Sequence, residues 1–174
     1  MTAHNQTITT LHHLLDDDAR KFTSAEIQLK NILPEWINKA GSLKFKTVLQ
    51  KYLDFVQQHV QKMEAFYETE NIISLSVTNR VMHAFIEETA EKLSNCTDAL
   101  VKDACLLASI QAINHFKIST YGTASAFAKA LEMEEQAAIF HEAAINEKQI
   151  DDRLSQLAEH EININAKTPI VLHE

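Results

Sequence analysis

Glycine and proline are scarce: two of each stand among 174 residues, while Ala, Leu, Glu, Gln and Lys are plentiful. Such a chain has few places to turn, which favours long helices with few connections. Positive charge is in deficit as well. The net charge of −8 disfavours nucleic acid and anionic membrane as partners. Met1 to Thr10 is polar and lacks the apolar stretch of a signal peptide, and no apolar run approaches the roughly 18 residues that span a bilayer. The two cysteines, Cys96 and Cys105, stand nine positions apart, outside any CxxC pattern. They are expected to be free thiols in a reducing cytoplasm. Also missing are a glycine-rich phosphate loop, a Ser or Cys beside a local base, and a basic aromatic patch.

What is present is helical periodicity. Leu15, Phe22, Leu29, Leu33 and Trp36 recur at helical spacing and predict a first helix from about Thr7 to Lys39. Pro34 lies inside it and should kink it. Ala40-Gly41-Ser42 reads as a stop and a start: glycine suits a left-handed residue after a helix, and serine caps the next. A second helix, about 43 to 69, carries Phe45, Val48, Tyr52, Phe55, His59, Met63 and Phe66 inward. From Glu70 to Asn79 the period fails, and Ile72, Ile73, Leu75 and Val77 mix with Ser and Thr as an extended connection. A shorter helix follows over about 80 to 94, using Val81, Phe85, Ile86 and Leu93. Thr97 is a candidate cap for a long helix over about 98 to 130. A tight turn near Glu132 leads to the last long helix, ending near His160.

Two tight helical hairpins joined by a connection of almost thirty residues predict an all-α, ferritin-like four-helix bundle, its long crossover carrying a short extra helix. One domain over 1–174 is expected, with the tail 161–174, which contains Pro169, loosely ordered or docked on a neighbour. Gly122, inside a helix, costs about 1 kcal/mol against alanine, which suggests a close approach there, such as a crossing helix.

Charged or polar side chains interrupt the apolar stripes at matching depths. Glu26 falls between Phe22 and Leu29, Glu147 between Ala144 and Leu154, and Lys117 with Asn114 below Leu106, Ile110 and Ile113. Glu26 lies 15 residues before Gly41, Lys117 15 before Glu132, and Glu147 15 after it. At about 1.5 Å of rise per residue all three come to mid-height, facing Phe55 or Val56 on the second helix. Burying charge is costly unless something answers it, so this layer reads as a metal site or the remains of one.

The segment Asp103 to Ala108, continuing through Asn114-His115-Phe116-Lys117-Ile118-Ser119-Thr120-Tyr121-Gly122-Thr123, resembles the ferritin-like YciE/YciF family of bacterial stress-associated proteins, which shows an "EHYEIA.YGT" stretch here. Ser24 to Leu29 with Leu33-Pro34 is similar to the family's "AEKQL…LP", and Glu147-Lys148 with Asp151 to its "EEK..D". Met82 stands where the family shows a methionine. The resemblance implies a di-metal centre of iron or manganese, but the two glutamates of "EHYE" are Asn114 and Lys117 here, and an inward carboxylate of the family's "HLEET" is Phe55. Family-type ligands carry over at Glu26 and Glu147, with Asp151 and His115 as further candidates.

Lys117 is expected to supply the missing cation, forming a salt-bridged cluster with one or both glutamates, among Asn114, Phe55, Tyr52 and His59. A buried ammonium relieves the repulsion between two carboxylates. The alternatives are that the glutamates keep one metal ion or are merely exposed at the surface, and that Lys117 snorkels out of the bundle with its stem on apolar surface. Tyr52 and Tyr121 are expected to pack with satisfied hydroxyls. His12-His13 and Asp16-Asp17-Asp18 look like a chelating run, but adjacent helical residues point different ways and a solvated face is expected. The resulting expectation is a non-enzymatic, stress-associated structural or interaction module, cytoplasmic and homodimeric, with a degenerate metal site and no cofactor. The alternative is an iron or manganese oxidoreductase or metal-binding protein.

Overall fold

Thr10 starts the first helix: its hydroxyl accepts the His13 N–H at 3.1 Å, and α1 runs Leu11–Lys39 without a break at Pro34. The remaining helices are α2 (Leu43–Thr69), α3 (Arg80–Asn95), α4 (Ala99–Ala130) and α5 (Glu134–Leu157). A π-helical turn, Ala158–Ile162, and a short α6, Asn163–Ala166, follow α5. The structure, a computed structural model, describes residues 7–69 and 77–167, with Phe66, Glu68 and Thr69 in backbone only. The expected connection through Ile72, Ile73 and Leu75, the inward Phe66 side chain and Pro169 lie outside the described residues.

Among the described residues α1 packs on α2 and α4, and α5 packs on α4 and α2, so α2 and α4 are diagonal partners. The carboxylate of Asp103, near the start of α4, accepts the N–H groups of Gly41 at 2.7 Å and Ser42 at 2.8 Å. The beginning of α4 therefore lies beside the α1–α2 turn, and α4 runs parallel to α2. A chain leaving α2 at the far end must return along the bundle before α4 can begin. Helix α3 makes that return. Its cap, Asn79, donates from its amide to the carbonyl of Lys21 at 3.0 Å on α1, and Leu93 near its other end shares a cleft with Lys39 and Lys102.

Local details correct several expectations. Gly41 has no left-handed backbone; a Cβ there would meet Asp103 Oδ2 at 3.2 Å, so the glycine admits the capping carboxylate. Gly122 has no close approach, because a Cβ there meets nothing within 4 Å. Asp98 rather than Thr97 caps α4, accepting from Leu100 and Val101 at 2.8 and 3.0 Å. On α3 the buried residues are Met82, Thr89 and Leu93, while Val81 is exposed. Ser42 does cap α2, accepting from Phe45 at 3.3 Å. The left-handed residue of the second hairpin is Glu132, with φ 58°.

The apolar interior falls into two parts. One gathers Leu29, Leu33, Trp36, Phe45, Leu106, Ile110 and Leu154. The other gathers Leu15, Ala19, Met63, Ala124, Ala128 and Phe140. Between them lies a polar layer.

Candidate functional site

All four long helices supply this layer. Tyr52 and His59 are seven residues apart on α2, two turns along one face. Asn114, Lys117 and Tyr121 follow at spacings of three and four on α4. Glu26 comes from α1 and Glu147 from α5. Every one is buried, His59 being the most accessible at 3%.

The Lys117 ammonium stands between the two carboxylates, 3.0 Å from Glu26 Oε2 and 2.6 Å from Glu147 Oε1. Neither contact has the angles of a good hydrogen bond, so charge is the main attraction. The ammonium also lies over the Tyr52 ring, 4.7 Å from its centroid. The other carboxylate oxygens are served by neutral donors. Glu147 Oε2 accepts from the Tyr52 hydroxyl at 2.8 Å and from the Asn114 amide at 2.7 Å. That amide also bonds the Glu147 carbonyl at 3.0 Å. Glu26 Oε1 accepts from the Tyr121 hydroxyl and lies 3.3 Å from His59 Nδ1. The hydrogen-bond network assigns the imidazole tautomer: the Asn146 amide meets Nε2 at 3.3 Å, which leaves the proton on Nδ1, facing Glu26.

The two glutamates differ electrostatically. Burial alone would raise Glu26, but Lys117, His59 and Tyr121 together lower it to about 2. Burial raises Glu147 against the pull of Lys117, with the Glu26 charge adding to the rise. Burial works against the Lys117 ammonium, yet the two carboxylates outweigh it and hold the proton more tightly than usual. Both tyrosines are pushed well above their ordinary value, by burial first and then by the neighbouring carboxylates. At neutral pH they are hydrogen-bond donors.

The expected cluster of Glu26, Glu147, Lys117, Asn114, Tyr52 and His59 comes together. Phe55 lies beside it, its ring parallel to that of His59 at 6.5 Å. Lys117 does not snorkel out. His115 and Asp151 are not part of the layer: they pair with each other at 2.8 Å, and 65% of the His115 side chain is exposed. A residue next to Asn114 on a helix points about 100° away from it. The inward histidine is His59, as its place on the α2 stripe predicts, one turn beyond the height matched to Phe55 or Val56. Helical side chains lean towards their own N-terminus, and α1 and α2 are antiparallel, so Glu26 and His59 lean towards each other.

Ligand atoms of Glu26, His59 and Glu147 lie within 4.8 Å of one another, close enough for the three to share a metal ion. A di-metal centre in a four-helix bundle draws on about four carboxylates and two histidines. The layer offers two carboxylates and one histidine, and an ammonium sits on both carboxylates, so the set does not fit a di-metal centre. The cleft beside His59, bordered by the Lys62–Glu142 pair at 2.6 Å, has a volume of about 10 Å³, room for roughly one water.

These features define an all-α bundle with a charged layer at mid-height. The chain belongs to the family described as "Domain of unknown function (DUF892)", whose match covers residues 10–167. It is 28% identical over 156 residues to Protein YciF of Escherichia coli (strain K12), covering 89% of this chain and 92% of that protein. YcfI from Rhodopseudomonas palustris shares the fold with a TM-score of 0.83 at 24% identity, over 88% of this chain and 98% of that one. The crystal structure of the E. coli stress protein YciF matches with a TM-score of 0.81 at 24% identity, over 92% of this chain and 100% of that one. No helix among the described residues is long and apolar enough to cross a membrane.

Proposed function

We propose that this protein is a non-enzymatic structural or interaction module, ferritin-like in build and stress-associated, in which Lys117 occupies the place of a metal. The observation that carries this reading is the ammonium at 3.0 and 2.6 Å from the two buried carboxylates. A cation there neutralises charge as a metal would, but offers no open coordination position and no redox chemistry. The cleft beside His59 holds roughly one water, which is small for an organic substrate. A homodimer in the cytoplasm is the assembly this reading expects, and light scattering measures it. The description of E. coli YciF as a stress protein supports the association with stress.

The second reading is a metal-binding protein, favoured by the convergence of Glu26, His59 and Glu147. It requires Lys117 to leave the layer or lose its proton. Elemental analysis of protein purified from iron- and manganese-supplemented medium separates the two. The expected result is metal well below one ion per chain. One or more tightly held ions per chain overturn the lysine-filled reading.

A further inference from the structure

Where α1 and α3 end and α4 begins, the bundle holds a cleft of about 300 Å³. Leu93 and Leu106, 7% and 1% exposed, form its floor. Lys39, Ala90, Ser94 and Lys102, all exposed, complete the lining. No carboxylate lines it, although the chain carries a net charge of −8. The acidic residues beside Lys102 on α4 are committed elsewhere: Asp103 accepts the N–H groups of Gly41 and Ser42, and Asp98 caps the first turn. Lys102 has no ion pair among the described residues. Lys39 pairs with Glu35 at 2.7 Å, both side chains about half exposed, and such a surface pair is weak enough for another anion to replace. The groove on the opposite face of α3 differs. Its lysine, Lys92, is already neutralised by Glu88 of the same lining.

We infer that this cleft binds a small amphipathic monoanion, a carboxylate carried on a short acyl chain or an aryl ring. The acid group meets the Lys39 and Lys102 ammonium groups at the mouth, and the hydrocarbon covers Leu93, Leu106 and Ala90. Charge-assisted hydrogen bonds select for the anion, and removal of the apolar floor from water favours the chain or ring. An apolar cavity of about 150 Å³ takes benzene, so the cleft has room for such a ligand. The Ser94 hydroxyl donates to the Glu91 carbonyl at 2.7 Å, which leaves the two lysines as the side-chain donors the lining offers. An amine would meet like charge, and an inorganic anion would leave the floor unused. Lys39 belongs to α1 and Lys102 to α4. An occupant therefore ties the end of the crossover helix α3 to both hairpins.

The test titrates the full-length chain by calorimetry at neutral pH with hexanoate and phenylacetate, and with hexylamine, hexanol and inorganic phosphate alongside. Saturable binding of both carboxylates is expected, weakened by added salt, with the other three probes bound far more weakly. Lys102→Glu and Lys39→Glu should each lower hexanoate affinity about tenfold or more. Lys129→Glu, at the far end of α4, should leave it unchanged. Ala90→Phe keeps both lysines but fills the cleft, and should abolish binding while circular dichroism and the urea midpoint stay those of the wild type. Hexanoate bound no tighter than hexylamine, hexanol or phosphate overturns the inference. So does an affinity that survives both lysine reversals or Ala90→Phe, and so does the absence of saturable binding.

Discussion

Glu26 and Glu147 come from diagonally opposite helices and share one ammonium, which reaches the first at 3.0 Å and the second at 2.6 Å. Their remaining oxygens are taken by Tyr121 and His59 on one side and by Tyr52 and Asn114 on the other. Burying the three charges together gives little net stability, but removing one is another matter.

Lys117→Met leaves two buried carboxylates facing an apolar side chain. A loss of about 3 to 5 kcal/mol is expected from breaking a buried ion cluster, read as a lower urea midpoint at pH 7. Addition of Mn²⁺ or Zn²⁺ should recover part of it, because Glu26, His59 and Glu147 are then free to share an ion. A variant as stable as wild type would show that the ammonium does not hold the layer together.

Replacing the two glutamates by glutamine should give unequal results at pH 7. Glu26 is lowered to about 2 from an ordinary 4.5, so the fold favours its ionised form and Glu26→Gln should cost about 3 kcal/mol. Glu147 is raised, so the fold favours its ionised form less and Glu147→Gln should cost less than Glu26→Gln. The pH dependence follows in sign. A lowered carboxyl contributes stability that is present above pH 4.5 and lost as pH falls towards 2. A raised carboxyl works the other way, its contribution present at low pH and lost as pH rises. Glu147→Gln removes the Glu147 contribution, so the urea midpoint should lose the rise that Glu147 gives as pH falls towards 4.5, while the loss between pH 4.5 and 2 remains. Equal costs for the two variants would sink the assignment.

The two glycines should respond in opposite directions. Gly122→Ala fills open space in a helix interior and should stabilise by about 1 kcal/mol. Gly41→Ala pushes on Asp103 Oδ2, which a Cβ would meet at 3.2 Å. It weakens two charge-assisted bonds and should cost about 1 kcal/mol. Thermal unfolding of both variants checks the pair.

The triple variant Phe55→Glu, Asn114→Glu, Lys117→Glu exchanges the cation for carboxylates on α2 and α4. Measurable affinity for Fe²⁺ or Mn²⁺ by titration calorimetry is expected. A folded triple variant that binds neither ion would show that these positions do not serve one layer.

The bundle was readable from the sequence because its stripes are long and its two hairpin turns are marked by Gly41 and the break near Glu132. Counting residues from those turns also brought Glu26, Lys117 and Glu147 to one height. Other features depend on side-chain direction or tertiary context, which spacing does not carry. His59 reaches Glu26 through the lean of antiparallel side chains. His115 and Asp151 satisfy the motif but face outward to each other. Nothing in the spacing marks Asp103, and only the packing of α4 against the α1–α2 turn reveals it as the cap for Gly41 and Ser42.

The split of the interior into two apolar parts bears on how the halves find each other. The α1–α2 hairpin carries one carboxylate with its imidazole, and the α4–α5 hairpin carries the other with its ammonium and amide. Slid by one turn, the halves would set charged groups against leucine and phenylalanine. Hydrocarbon surfaces alone tolerate such slippage, whereas ions do not. The mid-height layer thus works as a key that admits a single alignment of the two hairpins.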